Sequence, residues 1–445
     1  MRYGLIRLDI EDFLTPESDD GLQAMLDQLD RHRLPASYGV VGEKAVALAQ
    51  RGRGALLKRL SEKPALGFHS TSHSRHPTLA EELDLMEYEA GVKQFLVREG
   101  RGRDMVSQAI KPPVYFTQPG GNWVPQAVKA LPEMGMGLYF SESRNSYIVE
   151  YAEPLWLEDV LHFSLPVPTP APFLLGLPDN LDEALERLQR VTRGIPEGGA
   201  FTIMTHPTEL VSLEFWDAVN FARGQTRPNL RPAPLRSRSE RERAIQALDQ
   251  YFLAASAMAG IEWVDVLTLA DKIQPRRAVV VTRQDVAQAI AKTGIGPTRL
   301  KAGTLSAAQV AYALAFWVIH PTVSEMAVPL VKAPLEWGLA EPRGQVLDTS
   351  RLMQAAEALV ADVDSAGRLP SKAADVSVET VALMAAERLL GDQRPVVLSF
   401  LSYVKPPQHL HWDWPIFPPD FRPYRLWQET RRLSWNLAPV VWRQA

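Results

Sequence analysis

Leu5-Ile6-Arg7-Leu8-Asp9-Ile10-Glu11-Asp12 is a β-like run that ends in three carboxylates within four residues. Like charges packed that closely at a strand's end repel unless water or a cation compensates them, so the cluster is either exposed or metal-linked. Outward from this stretch the chain alternates short β-like runs with helical ones. Gly21 to His32 reads as helix, Ala36 to Val41 as strand, Glu43 to Leu60 as helix and Ala65 to Phe68 as strand. Strand-like Val114-Tyr115-Phe116, Gly137 to Phe140, Phe201 to Met204 and Glu262-Trp263-Val264 follow, separated by helical Gln126 to Leu131, Leu181 to Thr192 and Glu240 to Gly260. Repetition of this kind predicts an α/β fold with a parallel sheet, open or closed into a barrel, and places any chemistry where strands end and loops begin.

Two more stretches stand at such ends. Gly67-Phe68-His69-Ser70-Thr71-Ser72-His73 follows a β-like run and carries two of only nine histidines. Spacing of four on one helical turn puts both imidazoles on the same side, where they can grip a divalent cation. A carboxylate from the first stretch completes a His-His-carboxylate set while another stays free as a base. Phe201-Thr202-Ile203-Met204-Thr205-His206-Pro207-Thr208-Glu209 sets a third histidine at the tip of a late strand, the position a general acid needs.

Composition narrows the classes of function. The 445 residues exceed what one hydrophobic core fills, so two or three domains are expected. A balance of 48 Lys+Arg against 52 Asp+Glu, net −4, offers no basic field for a nucleic-acid partner. With no cysteine at all, thiolate metal sites, disulfides and thiol nucleophiles are excluded. No secretory segment and no apolar stretch of membrane-spanning length is visible, which points to the cytoplasm, with export left open if the chain is trimmed.

His69-Ser70-Thr71-Ser72-His73 matches the His-Ser/Thr-x-x-His metal motif of the polysaccharide deacetylases, carbohydrate esterase family 4. Asp9-Ile10-Glu11-Asp12 resembles the Asp-Val-Glu-Asp variant of that family's first motif, and His206-Pro207-Thr208-Glu209 is similar to its last. Tyr251 to Gly260 followed by Ile261 to Val266 also looks like the family's closing unit. The resemblance runs from residue 1 to about 274. It implies a distorted (β/α)7 barrel holding a divalent metal, zinc first, with cobalt or nickel as alternatives. It makes Asp9 the catalytic base, His69 and His73 metal ligands, Asp12 or Glu11 the third ligand, and His206 the acid that protonates a departing amine. The implied activity is removal of an acyl group from an N-acylated sugar, so the expected partner is a carbohydrate. Alternatives are a non-sugar amide or ureide as substrate, and a sugar-binding or scaffold protein without turnover.

The resemblance has one clear departure. The family holds its base with an arginine in an Arg-x-Pro motif, and Thr117 of Thr117-Gln118-Pro119 stands at that place. Gln118 or Asn122 is then expected to supply a neutral hydrogen bond instead, and Gln118, Asn122 and Trp123 are the candidate substrate-binding residues. His162 is read as structural, and His76 as a neighbour of the metal motif with no catalytic role.

Gln274-Pro275-Arg276-Arg277 marks the expected boundary between residues 1–274 and a mainly helical accessory domain, 275–445. The Arg/Pro-rich stretch Ala222 to Ala244 is expected as an exposed loop before the last helix of the first domain. In the accessory domain, Ser306 ahead of Ala307–Ile319 and Ser377 ahead of Val378–Leu390 suggest a repeated unit of offset 71, and Ser306 with Gln309 a capping box. Its Leu-Pro starts and serine caps are weakly similar to pseudomurein-binding repeats, which implies carbohydrate binding. The tail holds Trp412, Trp414, Trp427, Trp435 and Trp442, expected mainly to pack, and His409 with His411, a weak metal pair.

Overall fold

In a computed structural model, which describes residues 1–141, 148–170, 173–336, 347–391 and 415–443, the first stretch forms a strand buried along almost its whole length. The strands up to residue 263 are β1 (Arg2–Ile10), β2 (Ser37–Val40), β3 (Leu66–Phe68), β4 (Tyr115–Thr117), β5 (Leu138–Phe140), β6 (Leu155–Leu157), β7 (Val160–Phe163), β8 (Ala200–Thr205) and β9 (Ile261–Trp263). Contacts divide the chain into two interleaved units. The first takes Met1–Pro154, Val160–Lys272 and Pro406–Leu426, and the second takes Leu155–Asp159, Ile273–Lys405 and Trp427–Ala445.

In the first unit the strands lie in the order β7-β5-β4-β3-β2-β1-β8, and β9 pairs with the opening residues of β1. Every one of these pairings is parallel. Parallel strands covered on both faces by helices need near-continuous apolar sequence, and Leu5, Ile6, Leu8 and Ile10 supply it in β1. The sheet curls, and the segment after β7 bridges back to β8. Thr202 donates its N–H to the Pro166 carbonyl at 2.9 Å, and Thr169 Oγ1 donates to the Met204 carbonyl at 2.9 Å. The result is a curled α/β sheet of distorted-barrel type.

Register decides what meets inside it. Asp9 stands opposite Gly39, Gly39 opposite Gly67, and Gly67 opposite Tyr115. A Cβ at residue 39 would sit 2.4 Å from the Thr117 methyl, and one at residue 67 would sit 2.2 Å from the Tyr115 ring. Glycine at these two points is therefore what gives the larger side chains of β1 and β4 their interior space. The Arg/Pro-rich stretch is a loop only as far as Ser237. There a capping box starts the helix Arg238–Ser256, so Arg238, Arg241 and Arg243 are helical.

Within the second unit, the order helix, two-stranded hairpin, serine-capped helix of 13 residues occurs twice among the described residues. Arg283–Thr293 precedes the hairpin Thr298–Leu300/Gly303–Leu305 and the helix Ala307–Ile319. Thr349–Ala366 precedes the hairpin Lys372–Ala373/Val376–Ser377 and the helix Val378–Leu390. Ser306 and Gln309 form the reciprocal capping box, and Ser377 accepts from the N–H of Thr380. Trp435 is packed into this unit's core with Val310, Leu314 and Val381. Trp412, Trp414, His409 and His411 lie outside the described residues.

Candidate metal centre

Alternation along β1 and its extension points Arg7, Asp9 and Glu11 to one side of the strand. His69 directly follows β3, and its N–H is fixed to the Val40 carbonyl at 2.9 Å. The loop onward to His73 is not a helical turn. Ser70 and His73 both adopt left-handed backbone, φ 68° and 53°, and Ser70 Oγ accepts from the His73 N–H at 2.9 Å. The expected pairing of the imidazoles is thus met by different local geometry, with ring centroids 5.0 Å apart. From the helix Tyr88–Ala109, Glu99 Oε2 accepts from the Thr71 N–H at 2.8 Å and the Arg98 carbonyl accepts from Thr71 Oγ1 at 2.9 Å, clamping this loop.

Glu11, His69 and His73 bring one ligand atom each to within 4.8 Å of one another, all three buried. Glu11 Oε2 lies 3.1 Å from His69 Nε2 and 2.9 Å from His73 Nε2. Hydrogen bonding on the far side of each ring fixes what these atoms carry. His69 Nδ1 faces the Thr117 carbonyl at 3.1 Å, and a carbonyl only accepts, so Nδ1 holds the proton. His73 Nδ1 faces Ser74 Oγ at 2.6 Å, and Ser74 spends its one hydroxyl proton on Asp217 Oδ2 at 2.9 Å, so His73 Nδ1 is again the donor. The two Nε2 atoms and a carboxylate oxygen then converge in a buried interior. Only a cation among them, or an extra proton on each ring, removes their repulsion. The donor set, two imidazoles and one carboxylate, fits a divalent ion of the zinc type.

Asp12, the other expected third ligand, is turned elsewhere. Its Oδ1 accepts from the N–H groups of Leu14 and Thr15 at 3.0 and 2.9 Å, and its Oδ2 accepts from Thr208 Oγ1 at 2.6 Å. It therefore ties the turn after β1 to the turn after β8. Burial raises its pKa, against the pull of Lys44 and these hydrogen bonds. For Glu11 burial also pushes upward, but His73 and His206 outweigh it and hold the carboxyl well below the usual range.

Asp9 and His206 flank the cluster. Asp9 Oδ2 accepts from Arg7 Nη2 at 2.8 Å and lies 3.8 Å from His206 Nε2, while its buried Oδ1 has no hydrogen-bond partner. Both side chains are well enclosed, Asp9 at 2% and His206 at 5% exposure. His206 Nδ1 is paired at 2.5 Å with Glu209 Oε1, whose other oxygen accepts from the N–H groups of Leu174 and Leu175. Desolvation pulls the His206 pKa down, but Glu11, Glu209 and Asp9 carry it up to about 10, so the ring is an imidazolium at neutral pH.

The cation that Thr117 cannot provide comes from the same strand as Asp9. Arg7 is buried beside Phe140 and Met204 and pairs with Asp9. Neither Gln118 nor Asn122 bonds Asp9, which corrects that expectation. Gln118 Nε2 donates to the Gly120 carbonyl, although its Oε1 is buried without a partner. Asn122 donates to the Pro119 carbonyl and accepts from the Ala80 N–H, and Trp123 is fully buried and stacked on Tyr139 at 5.1 Å. The last two hold the loop after β4 rather than offer a free face to substrate. His162, bonded to Ser141 Oγ at 2.8 Å, is pushed down to about 3 by burial and stays neutral. His76 is held by Glu81 and the Phe221 carbonyl.

Sequence reasoning gives no role to Arg7, Ser74, Trp216 or Asp217, and names Glu209 only as part of the His206-Pro207-Thr208-Glu209 motif. Arg7 and Glu209 were within reach, one two residues before the base on a strand and the other three after His206 on a turn. Trp216 and Asp217 carry no local signal.

No family model matches the chain, and no curated protein matches it. Among solved structures it is similar to a putative polysaccharide deacetylase from Mycobacterium smegmatis (15% identity, 61% of this chain and 92% of that one, TM-score 0.36). It is also similar to a CE4 family pseudoenzyme from Bacillus anthracis (14%, 60% and 65%, 0.33) and to a 4-alpha-glucanotransferase from Thermococcus litoralis (13%, 62% and 41%, 0.42). At this level of similarity, family and activity have to be judged on the residues themselves.

Proposed function

We propose that this protein is a metal-dependent hydrolase of a carbon–nitrogen bond that removes an acyl group from an N-acylated sugar. The observation that carries the reading is the convergence of Glu11 Oε2, His69 Nε2 and His73 Nε2 with both ring tautomers set to present lone pairs. A divalent cation held there would supply Lewis acidity, polarising an amide carbonyl and bringing the pKa of a water toward neutrality. Asp9 Oδ1, the unpartnered oxygen, takes the proton from the attacking water, while Arg7 holds the other oxygen in place. His206, its Nδ1 held by Glu209, gives a proton from Nε2 to the departing amine. The Arg7–Asp9 ion pair supports turnover over a sugar-binding or scaffold role, since it supplies a cation beside Asp9 that the absent motif arginine does not.

Enclosure of Asp9 and His206 favours one second reading, a compact amide or ureide as substrate. Both readings are tested by cation content together with amine release from N-acetylglucosamine, its oligomers and small amides. Asp9→Asn is expected to keep the cation and lose turnover. A wild-type protein that binds no divalent ion overturns the proposal.

A further inference from the structure

The short helix Trp216–Phe221 reaches two of the three proposed ligands with adjacent residues. Trp216 Nε1 donates to Glu11 Oε1 at 2.6 Å, across 205 residues of chain. Asp217 Oδ2 accepts from Ser74 Oγ at 2.9 Å, across 143, and Ser74 Oγ accepts from His73 Nδ1 at 2.6 Å. Trp216, Asp217, Ser74, Glu11 and His73 are all buried. An indole N–H can only donate and a carboxylate can only accept, so the direction of each bond is fixed. The Trp216 ring is itself wedged edge-on against Phe13 at 5.0 Å and Phe221 at 5.8 Å, and lies 5.6 Å from the His73 ring.

We infer that this helix is the outer clamp of the metal centre, with Trp216 and Asp217 as positioning residues that set how Glu11 and His73 bind the ion. This rests on the metal-dependent reading above. With Oε1 held by the indole, Glu11 has one oxygen, Oε2, left to face His69 and His73, so it serves as a one-oxygen ligand. With Nδ1–H held through Ser74 by Asp217, the His73 ring cannot switch tautomer, and Nε2 keeps its lone pair toward the same point. Asp217 Oδ2 also lies 3.9 Å from His73 Nδ1, on the side of the ring away from Nε2, where a cation would bind. Partners of this kind fix ligand orientation and basicity, and losing one typically weakens metal affinity by about 10–100-fold.

The test titrates the full-length protein with Zn²⁺ against a competing chelator and with Co²⁺ by visible absorption. Trp216→Phe keeps the ring packing and deletes only the donor. Ser74→Ala and Asp217→Asn break the relay to His73. Each is expected to weaken Zn²⁺ affinity by about 10–100-fold at unchanged stoichiometry. Trp216→Phe is further expected to lower the intensity of the Co²⁺ visible bands, because Glu11, freed at Oε1, can bind through both oxygens. Glu11→Gln is the control that removes the ion. If wild type binds one Zn²⁺, Glu11→Gln loses it, and Trp216→Phe and Ser74→Ala both match wild type in affinity and spectrum, the clamp is refuted while the metal reading stands. If wild type and Glu11→Gln alike bind nothing, the metal reading itself fails, and the clamp with it. Should Trp216→Phe not fold, Ser74→Ala, which removes a single oxygen, decides the question by the same affinity criterion.

Discussion

Glu99 lies fully buried on the helix Tyr88–Ala109, with one oxygen accepting from the Thr71 N–H between the two metal-motif histidines. Burial raises its pKa from 4.5 to about 7, more than Arg98 and the Thr71 hydrogen bonds can lower it. The native chain thus keeps a proton that the unfolded chain releases. Below pH 4.5 both states hold it, and the carboxyl makes no difference. From pH 4.5 upward stability falls by about 1.4 kcal/mol per unit until the native group ionises near pH 7, a total of about 3 kcal/mol. Glu99→Gln keeps the shape and the acceptor for Thr71 but cannot ionise. We expect the variant to gain on wild type by about 3 kcal/mol between pH 4.5 and pH 8, the gain developing in the window just given. Urea unfolding of the two proteins side by side across this range, each with the same cation load, cancels the titration of all other groups. Parallel stability curves would refute the reasoning, since they would mean that Glu99 titrates alike in both states.

Arg7→Met should keep the cation while lowering kcat by about 100-fold or more, with Arg7→Lys recovering part of it; cation loss in Arg7→Met would mean that Arg7 supports the ligands instead of the base. Asp12→Asn should retain the cation and cost about 1–3 kcal/mol in unfolding free energy, because Asp12 ties two turns together, whereas Glu11→Gln should release the ion. Loss of the ion in Asp12→Asn would reverse the ligand choice. Ser306→Ala should destabilise the second unit by about 1 kcal/mol in thermal unfolding, and no change would show that its capping box is dispensable.

The parallel sheet and the strand-end placement of its acids and histidines were legible because both are local patterns. Alternating strand and helix runs leave a period in the sequence, and polar residues closing an apolar run stand out. The choice between Glu11 and Asp12 was not, because it turns on which carboxylate the N–H groups of Leu14 and Thr15 capture, a matter of loop geometry. The joining of His69 and His73 follows from their spacing, but left-handed Ser70 and His73 bring it about in place of a helical turn. Arg7 carries no such signal: chain order offers Gln118 and Asn122 beside Thr117, while only the sheet brings β4 and β1 to the same interior. Trp216 was invisible for a plainer reason: nothing in an aromatic residue 205 positions away marks it as the partner of a carboxylate.

β1 precedes every strand it pairs with in the chain, yet it occupies an interior place in the sheet. β1 is flanked by β2 on one side and by β8, residues 200–205, on the other, with β9 alongside its opening residues. A chain synthesised from its N-terminus therefore exposes Glu11, His69 and His73 long before their surroundings exist. Pairing across such separations is slow, because the loop must close before any contact repays it. An ion picked up by the early segment would be held by three unsupported side chains, free to exchange. Were an ion bound there, which one stayed would be decided only after the last third of the first unit had docked, and selection among cations would belong to the finished sheet rather than to the motif.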